Sequence, residues 1–353
     1  MTDETKQPAA SHAGPSRSEF DFINELRQRV GPPASQSLIA GIGDDAAVVR
    51  GTAGKEIIIT ADLLVEDIDF RRTTTPPYLL GHKALAVSLS DIAAMGARPL
   101  WSLISIGVPD DIWQTDFVDR LYDGLFDLAS RYGVQLIGGD TSRTPENIVI
   151  DSIVAGECAA GMSIKRAGAR AGDQIFVTGS LGAAAAGFRL IERGAHLADQ
   201  NLADEDSQKL DHVLLRQLRP EPRVGWGIVL GEEQLATAMI DLSDGLSSDL
   251  NRLCEASGVG ARIDSSLLPI DQRVTELCGR RALDPLQLAL HGGEDFELLF
   301  TVKPENVGRL PRRVDGVEIK RIGEITSSQE GITISEGPRT WELKPGGWTH
   351  FPG

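Results

Sequence analysis

The chain has 353 residues, with 35 Lys and Arg against 51 Asp and Glu for a formal net charge of -16. That length suits two ordinary domains with their own cores, and so acidic a surface repels nucleic-acid backbones and anionic lipid headgroups, leaving nucleic acid and membrane as poor partners. Cys158, Cys254 and Cys278 form no CxxC pair, which argues against a disulfide framework or a zinc site and fits a reducing cytoplasm.

Residues 1–18 lack an apolar h-region and read as a disordered tail, and no later apolar run approaches the ~20 residues of a membrane span. Phe20, Ile23, Leu26 and Val30 carry helical spacing that Gly31-Pro32-Pro33 stops. Strands are expected at 46–49 and 57–60, a helix over 83–94 after Gly81, a strand at 101–108, and a helix over 117–132 that leads through Gly133 into an apolar strand at 134–137, ended by Gly138-Gly139-Asp140. A further strand is expected at 148–157. Hairpin-like strands mixed with helices predict an α+β first domain over 19–157. A second domain, expected over 158–353, follows the Gly- and Arg-rich GMSIKRAGARAGD segment; it has strands at 174–178, 236–240 and 297–302, and a long helical stretch after Gly182 broken by polar residues 198–208.

The informative residues are aspartates after strand-like runs or in glycine-flanked turns: Gly43-Asp44-Asp45, Thr60-Ala61-Asp62, Ser90-Asp91, Gly139-Asp140-Thr141 and Asp241-Leu242-Ser243-Asp244-Gly245. Each taken alone fits an ordinary turn or helix cap. Taken together, converging carboxylates repel one another unless cations sit between them, and magnesium prefers oxygen ligands and bridges to phosphate. Spacing thus points to metal-assisted phosphate chemistry without saying which aspartates meet. There is no Walker loop GxxxxGK[ST], no protein-kinase motif set and no GxSxG elbow, and the glycines at 179–187 lack GxGxxG spacing.

GIGDDAAVV at 41–49, LSDIAAMGARP at 89–99, GGDT at 138–141, DLSDGLSSDL at 241–250 and GGEDFELLF at 292–300 together resemble the thiamine-monophosphate kinases. Their wider superfamily includes aminoimidazole ribonucleotide synthetase, selenophosphate synthetase and a hydrogenase-maturation protein. The resemblance implies an N-terminal ATP-binding α+β domain whose sheet forms a barrel across a homodimer, and a C-terminal α/β domain closing the cleft. It implies direct in-line transfer of the ATP γ-phosphoryl group to thiamine monophosphate, magnesium-assisted and cytoplasmic, as the last step of thiamine diphosphate biosynthesis, with no residue assigned as general acid or base. By position, Asp45, Asp62, Asp91, Asp140, Asp241 and Asp244 resemble magnesium ligands, assisted by the Thr60 hydroxyl. Gly139, Asp140, Arg166 and Ser243 resemble the ATP site. Glu294 and Trp348 resemble residues at the thiamine end, an acid and an aromatic face for a cationic thiazolium. In VEDIDF at 65–70, Asp69 stands where the family often has a histidine near the acceptor. Another acceptor on the same fold, and a non-catalytic nucleotide sensor, are the alternatives.

Overall fold

The computed structural model describes residues 28, 38–40, 43–51, 54–197, 205–279 and 283–350; the expected tail of residues 1–18 and nearly all of the expected helix over 20–30 lie outside them. The first domain runs β1 (Leu38–Ala40), β2 (Ala47–Arg50), β3 (Lys55–Val65), α1 (Pro77–Ala94), β4 (Arg98–Val108), α2 (Asp110–Trp113), α3 (Phe117–Tyr132), β5 (Gln135–Arg143) and β6 (Val149–Ala159). Its six strands lie in the order β1-β2-β3-β6-β4-β5, antiparallel except for the β4–β5 pair. Within one chain this sheet is open, with β1 and β5 at its edges.

β3 and β6 pair along the whole length of both, and on β3 the even-numbered residues from Glu56 to Leu64 face inward. Period two therefore sets Thr60 and Asp62 on the same face, and α1 packs there. Pro77 opens α1 at a position where the missing N–H costs nothing. From Leu80 to Ala94 nearly every side chain of α1 is buried, as in a helix enclosed on all sides. α3 is amphipathic, with Leu121, Leu125 and Leu128 inward, and Gly133 closes it in the left-handed region at φ 67°. The two helices touch backbone to backbone: a Cβ on Gly81 would fall on the Leu121 carbonyl, and one on Gly124 on the Tyr78 carbonyl.

The expectation that strand 134–137 ends at Gly138-Gly139-Asp140 is corrected. β5 continues to Arg143 beside β4, because Gly139 takes φ 150° and lies against the Ile104 carbonyl, where no Cβ would fit. Asp140 consequently sits within an edge strand, and Thr60 and Asp62 within β3, not at strand ends.

The second domain runs β7 (Gln174–Thr178), α4 (Ala183–Glu192), α5 (Glu205–Leu218), α6 (Val224–Glu232), β8 (Ala236–Asp241), α7 (Leu246–Ser257), β9 (Gly260–Asp264), α8 (Gln272–Gly279), α9 (Pro285–His291), β10 (Leu298–Val302), β11 (Arg313–Val314), β12 (Val317–Thr326), β13 (Ile332–Glu336) and β14 (Arg339–Glu342). The sheet order is β14-β13-β9-β12-β7-β10-β8, with β11 on β12. Only β9–β13 is parallel among its described pairs, so this domain is α+β and not the expected α/β type, which rests on parallel strands.

The domains share apolar core. Trp226 on α6 stacks with Phe300 on β10 and packs in one cluster with Ala93, Ala94 and Met95 from the first domain. Gly227 and Gly231 let α6 approach the α1 terminus at Ala93 and Gly96. No helix among the described residues is long and apolar enough to cross a membrane.

The close approach of α1 and α3 makes Gly81→Ala destabilising by ~1–3 kcal/mol through overpacking, although alanine is the better helix former by ~1 kcal/mol. Urea unfolding measures it; a stabilised variant would mean that the helices separate freely.

Candidate active site

Carboxylates from three chain segments meet where the domains join, with a fourth, on β3, beside them. Asp45 lies in the turn before β2, Thr60 and Asp62 on the inner face of β3, Ser88, Ser90 and Asp91 on α1 against that face, and Asp241 at the end of β8. Asp45, Asp91 and Asp241 each bring one carboxylate oxygen within 4.8 Å of the others. Hydroxyls hold them in place. Thr60 Oγ1 donates to Asp91, Ser90 Oγ donates to Asp241 Oδ2 at 2.7 Å across the domain junction, and Ser88 Oγ donates to Asp62 Oδ2 at 2.7 Å. The Arg166 guanidinium bonds Asp45 Oδ1 at 2.6 Å. Asp45 Oδ2 is buried with no partner.

The electrostatics follow from crowding like charges away from water. Burial, with the charges of Asp62, Asp241 and Asp45 added, holds Asp91 well above the usual carboxylate range. Burial and Asp45 do the same to Asp241. Burial lifts Asp62 to about 6, with Asp151 and Asp45 contributing, and lifts Asp44 to about 6, with Asp45 contributing. A group of oxygen ligands that repel one another, one of them an orphaned buried oxygen, has the donor chemistry for a hard divalent cation.

The other expected metal and nucleotide residues surround this centre at different removes. Asp62 stands outside the three-carboxylate group, although its charge acts on Asp91. Asp244 is paired with Arg252 at 2.5 Å. Asp140 is exposed on β5 beside Gly139, and its Oδ1 accepts the Thr141 N–H at 2.9 Å. The Ser243 carbonyl accepts the Glu294 N–H at 2.7 Å, and Leu242 exchanges backbone bonds with Phe296 and Glu297. Those bonds continue the β8–β10 pairing past its end, which is how DLSDG and GGEDFE come together. The junction is strained, with Glu294 at φ 66° and Phe296 at φ 49°. Asp295 and Glu297 have structural tasks here. Asp295 accepts the N–H groups of Gly182 and Ala184 at the start of α4, at 2.6 and 3.1 Å, and Glu297, fully buried, binds Arg216, Arg223 and Thr178.

At the expected acceptor end, Glu294 pairs with Lys83 at 2.5 Å. Asp69 turns inward: its Oδ2 accepts the Val65 N–H at 2.7 Å, closing its own turn. Burial raises its pKa, opposed by that bond and by the charges of His350 and Lys83. Trp348 is half exposed, on a segment strapped over the start of α7. Gly346 and Gly347 donate to Ser247 and Ser248, and the Trp348 N–H donates to the Asp244 carbonyl at 3.1 Å. The sequence reading missed Lys83, Gln217 and Arg252. For Lys83 there was a signal, a charge inside the apolar run KALAVSL, seven residues and so two turns before Ser90.

Residues 43–158 match the AIR synthase related protein N-terminal domain, and residues 170–335 its C-terminal domain. The thiamine-monophosphate kinase of Escherichia coli K12 is 39% identical over 342 residues, covering 94% of this chain and 98% of the relative. That of Bacillus subtilis is 36% identical over 336 residues, covering 94% and 99%. Among solved structures, AaThiL complexed with AMPPCP and TMP superposes with a TM-score of 0.80 at 31% identity, covering 95% of this chain and 97% of that one. The thiamine-monophosphate kinase of Stenotrophomonas maltophilia K279a gives 0.72 at 36% identity, covering 91% and 97%. With both domains matched in order and relatives aligned over nearly their whole length, this chain belongs to the AIR synthase related family and, within it, to the thiamine-monophosphate kinases.

Proposed function

We propose that the chain transfers the γ-phosphoryl group of ATP directly to thiamine monophosphate, giving thiamine diphosphate and ADP. One observation carries this: Asp45, Asp91 and Asp241, drawn from both domains, converge with Asp45 Oδ2 left unpartnered. The AaThiL complex with AMPPCP and TMP supports both substrates. Magnesium ions held by these three, with Asp62, Asp140, Asp244 and the Thr60 hydroxyl around them, would offset the negative charge of the phosphates. Arg166, now bound to Asp45, presents its guanidinium to the nucleotide phosphates, with Gly139, Asp140 and Ser243 on the nucleotide side. Glu294 and Trp348 hold the thiamine end, and Asp69 shapes the turn beside them.

In the transfer, an oxygen of the acceptor phosphate bonds to the γ-phosphorus as the bond from that phosphorus to the β–γ bridging oxygen breaks. The acceptor is largely ionised near neutral pH, so a general base has little to remove. The chain's work is alignment and exclusion of water. Ser90, bridging to Asp241, couples domain closure to site assembly. Cys158, Cys254 and Cys278 are thiols and not disulfide partners, which supports a reducing cytoplasm.

The homodimer also belongs to this reading. The outer face of the first sheet exposes Ile59 and Leu63 on β3, Trp101 on β4 and Ile137 on β5, with β6 running between β3 and β4. An apolar face of that kind is expected to be covered by a second copy, the two sheets forming the barrel.

Phosphorus NMR of the protein with ATP, magnesium and thiamine monophosphate is expected to show thiamine diphosphate and ADP, with neither formed when any component is omitted. An unchanged spectrum from folded, ATP-binding protein would reject this acceptor. Asp91→Asn is expected to lower kcat by more than ~10²-fold and yet to unfold later than wild type in chelator. The sign follows from linkage: Asp91 binds its proton more tightly folded than unfolded, so its ionised form destabilises the fold at high pH and that penalty fades as pH falls. The stability gap between variant and wild type therefore narrows as pH falls from neutrality toward the ordinary aspartate pKa of about 4; a gap independent of pH would contradict the crowding. Leu63→Arg is expected to halve the mass seen by sedimentation, to that of a 37.9 kDa chain. A wild type already at that mass would reject the dimer.

A further inference from the structure

One cluster at the far end of α1 has no task in the transfer step. Lys83, buried on α1, pairs with one oxygen of Glu294 at 2.5 Å and has the Asp69 carbonyl 3.5 Å away. Gln217, on α5 of the second domain, is 6% exposed and donates its Nε2–H to the other Glu294 oxygen. Glu294 itself keeps a third of its side chain open to solvent. The carbonyl Oε1 of Gln217 is buried with no hydrogen-bond partner. An orphaned buried amide oxygen costs ~1–3 kcal/mol, and a group held in that state calls for a donor from outside the chain. Rotating the amide does not relieve it, because Oε1 would then face the Glu294 carboxylate, acceptor against acceptor. Lys83 precedes Asp91 by eight residues on one helix, ~12 Å along its axis. The cluster thus stands about the length of a small molecule away from the transfer centre.

We propose that Gln217 is a specificity-determining residue for the acceptor. With the acceptor's phosphate at the Asp91 end, the free Gln217 carbonyl accepts a hydrogen bond from an exocyclic amine on the acceptor's distal heteroaromatic ring. Lys83 and the Gln217 Nε2 fix the Glu294 carboxylate beside that ring. This deepens the thiamine monophosphate reading and rests on it. Since Gln217 Oε1 offers only lone pairs, the site accepts an exocyclic amino group and rejects a carbonyl oxygen at the same position.

The test compares thiamine monophosphate with its analogue bearing an oxo group in place of the pyrimidine amine. Turnover of thiamine monophosphate by wild type is measured first, and its absence removes the acceptor reading and this assignment together. Given turnover, wild type is expected to favour the amino acceptor in kcat/KM by on the order of a hundredfold. Gln217→Met, of similar volume, is expected to bring the ratio to within about threefold of one while leaving KM for ATP unchanged. Gln217→Leu serves as the second variant should the first fail to fold. A wild type indifferent to the two acceptors overturns the proposal without any variant. So does a variant that slows both acceptors equally, the mark of a residue that only packs.

Discussion

Like charge gathered at a domain junction is the constraint around which this molecule is arranged. At separations near 5 Å, two carboxylates repel by roughly 3 kcal/mol at an effective dielectric constant near 20, and Asp45, Asp91 and Asp241 approach that closely in mutual contact. Each is restrained by a different device: a guanidinium for Asp45, and the hydroxyls of Thr60 and Ser90 for Asp91 and Asp241. None of these partners belongs to the same element as the carboxylate it holds. The repulsion is carried by the whole fold, and raised proton affinities at Asp91, Asp241 and Asp62 are its local expression.

Such a centre needs a rigid support, and α1 supplies it. The helix is enclosed on all sides, held against α3 by reciprocal glycine contacts and against α6 by Gly227. Four of its polar residues face the cleft. Ser88, Ser90 and Asp91 serve the centre, and Lys83, two turns earlier, serves the distal cluster. One straight element therefore sets the distance between the two ends of the cleft. The second domain supplies a matching partner at each end, Asp241 near Ser90 and Glu294 near Lys83, and those partners are tied to each other by the bonds between the DLSDG and GGEDFE loops.

Much of this was legible in the sequence, and the failures share causes. The helix over 117–132 and the strand at 174–178 were read to the residue because their apolar periodicity is undiluted and glycine or polar residues bound them. Pro77 set the true start of α1, six residues ahead of the expected one, where Gly81 was taken for a boundary and is instead a contact. Glycine misled again in β5, where Gly138-Gly139 continues a strand. Helix α7 and strand β12 went unread: the first begins inside a motif that looks like a turn, and the second carries exposed charged residues over its first half. The aspartate set was legible as a set. Which members meet was not, because Asp241 reaches Asp91 only through a sheet order and a domain contact that no local spacing encodes.

Asp69 shows how position in a motif and task in a structure separate. By sequence it stands beside the acceptor, where a second negative charge would oppose a phosphate monoester. In the fold its carboxylate accepts the Val65 N–H and closes a turn, and its backbone carbonyl lies toward Lys83, whose charge also acts on that carboxylate. At that end of the cleft the Glu294 carboxylate is balanced by Lys83. A pair already neutralised attracts a zwitterionic acceptor weakly at long range. Discrimination at this end must therefore come from short-range hydrogen bonding, and the unpartnered Gln217 carbonyl is the group placed to supply it.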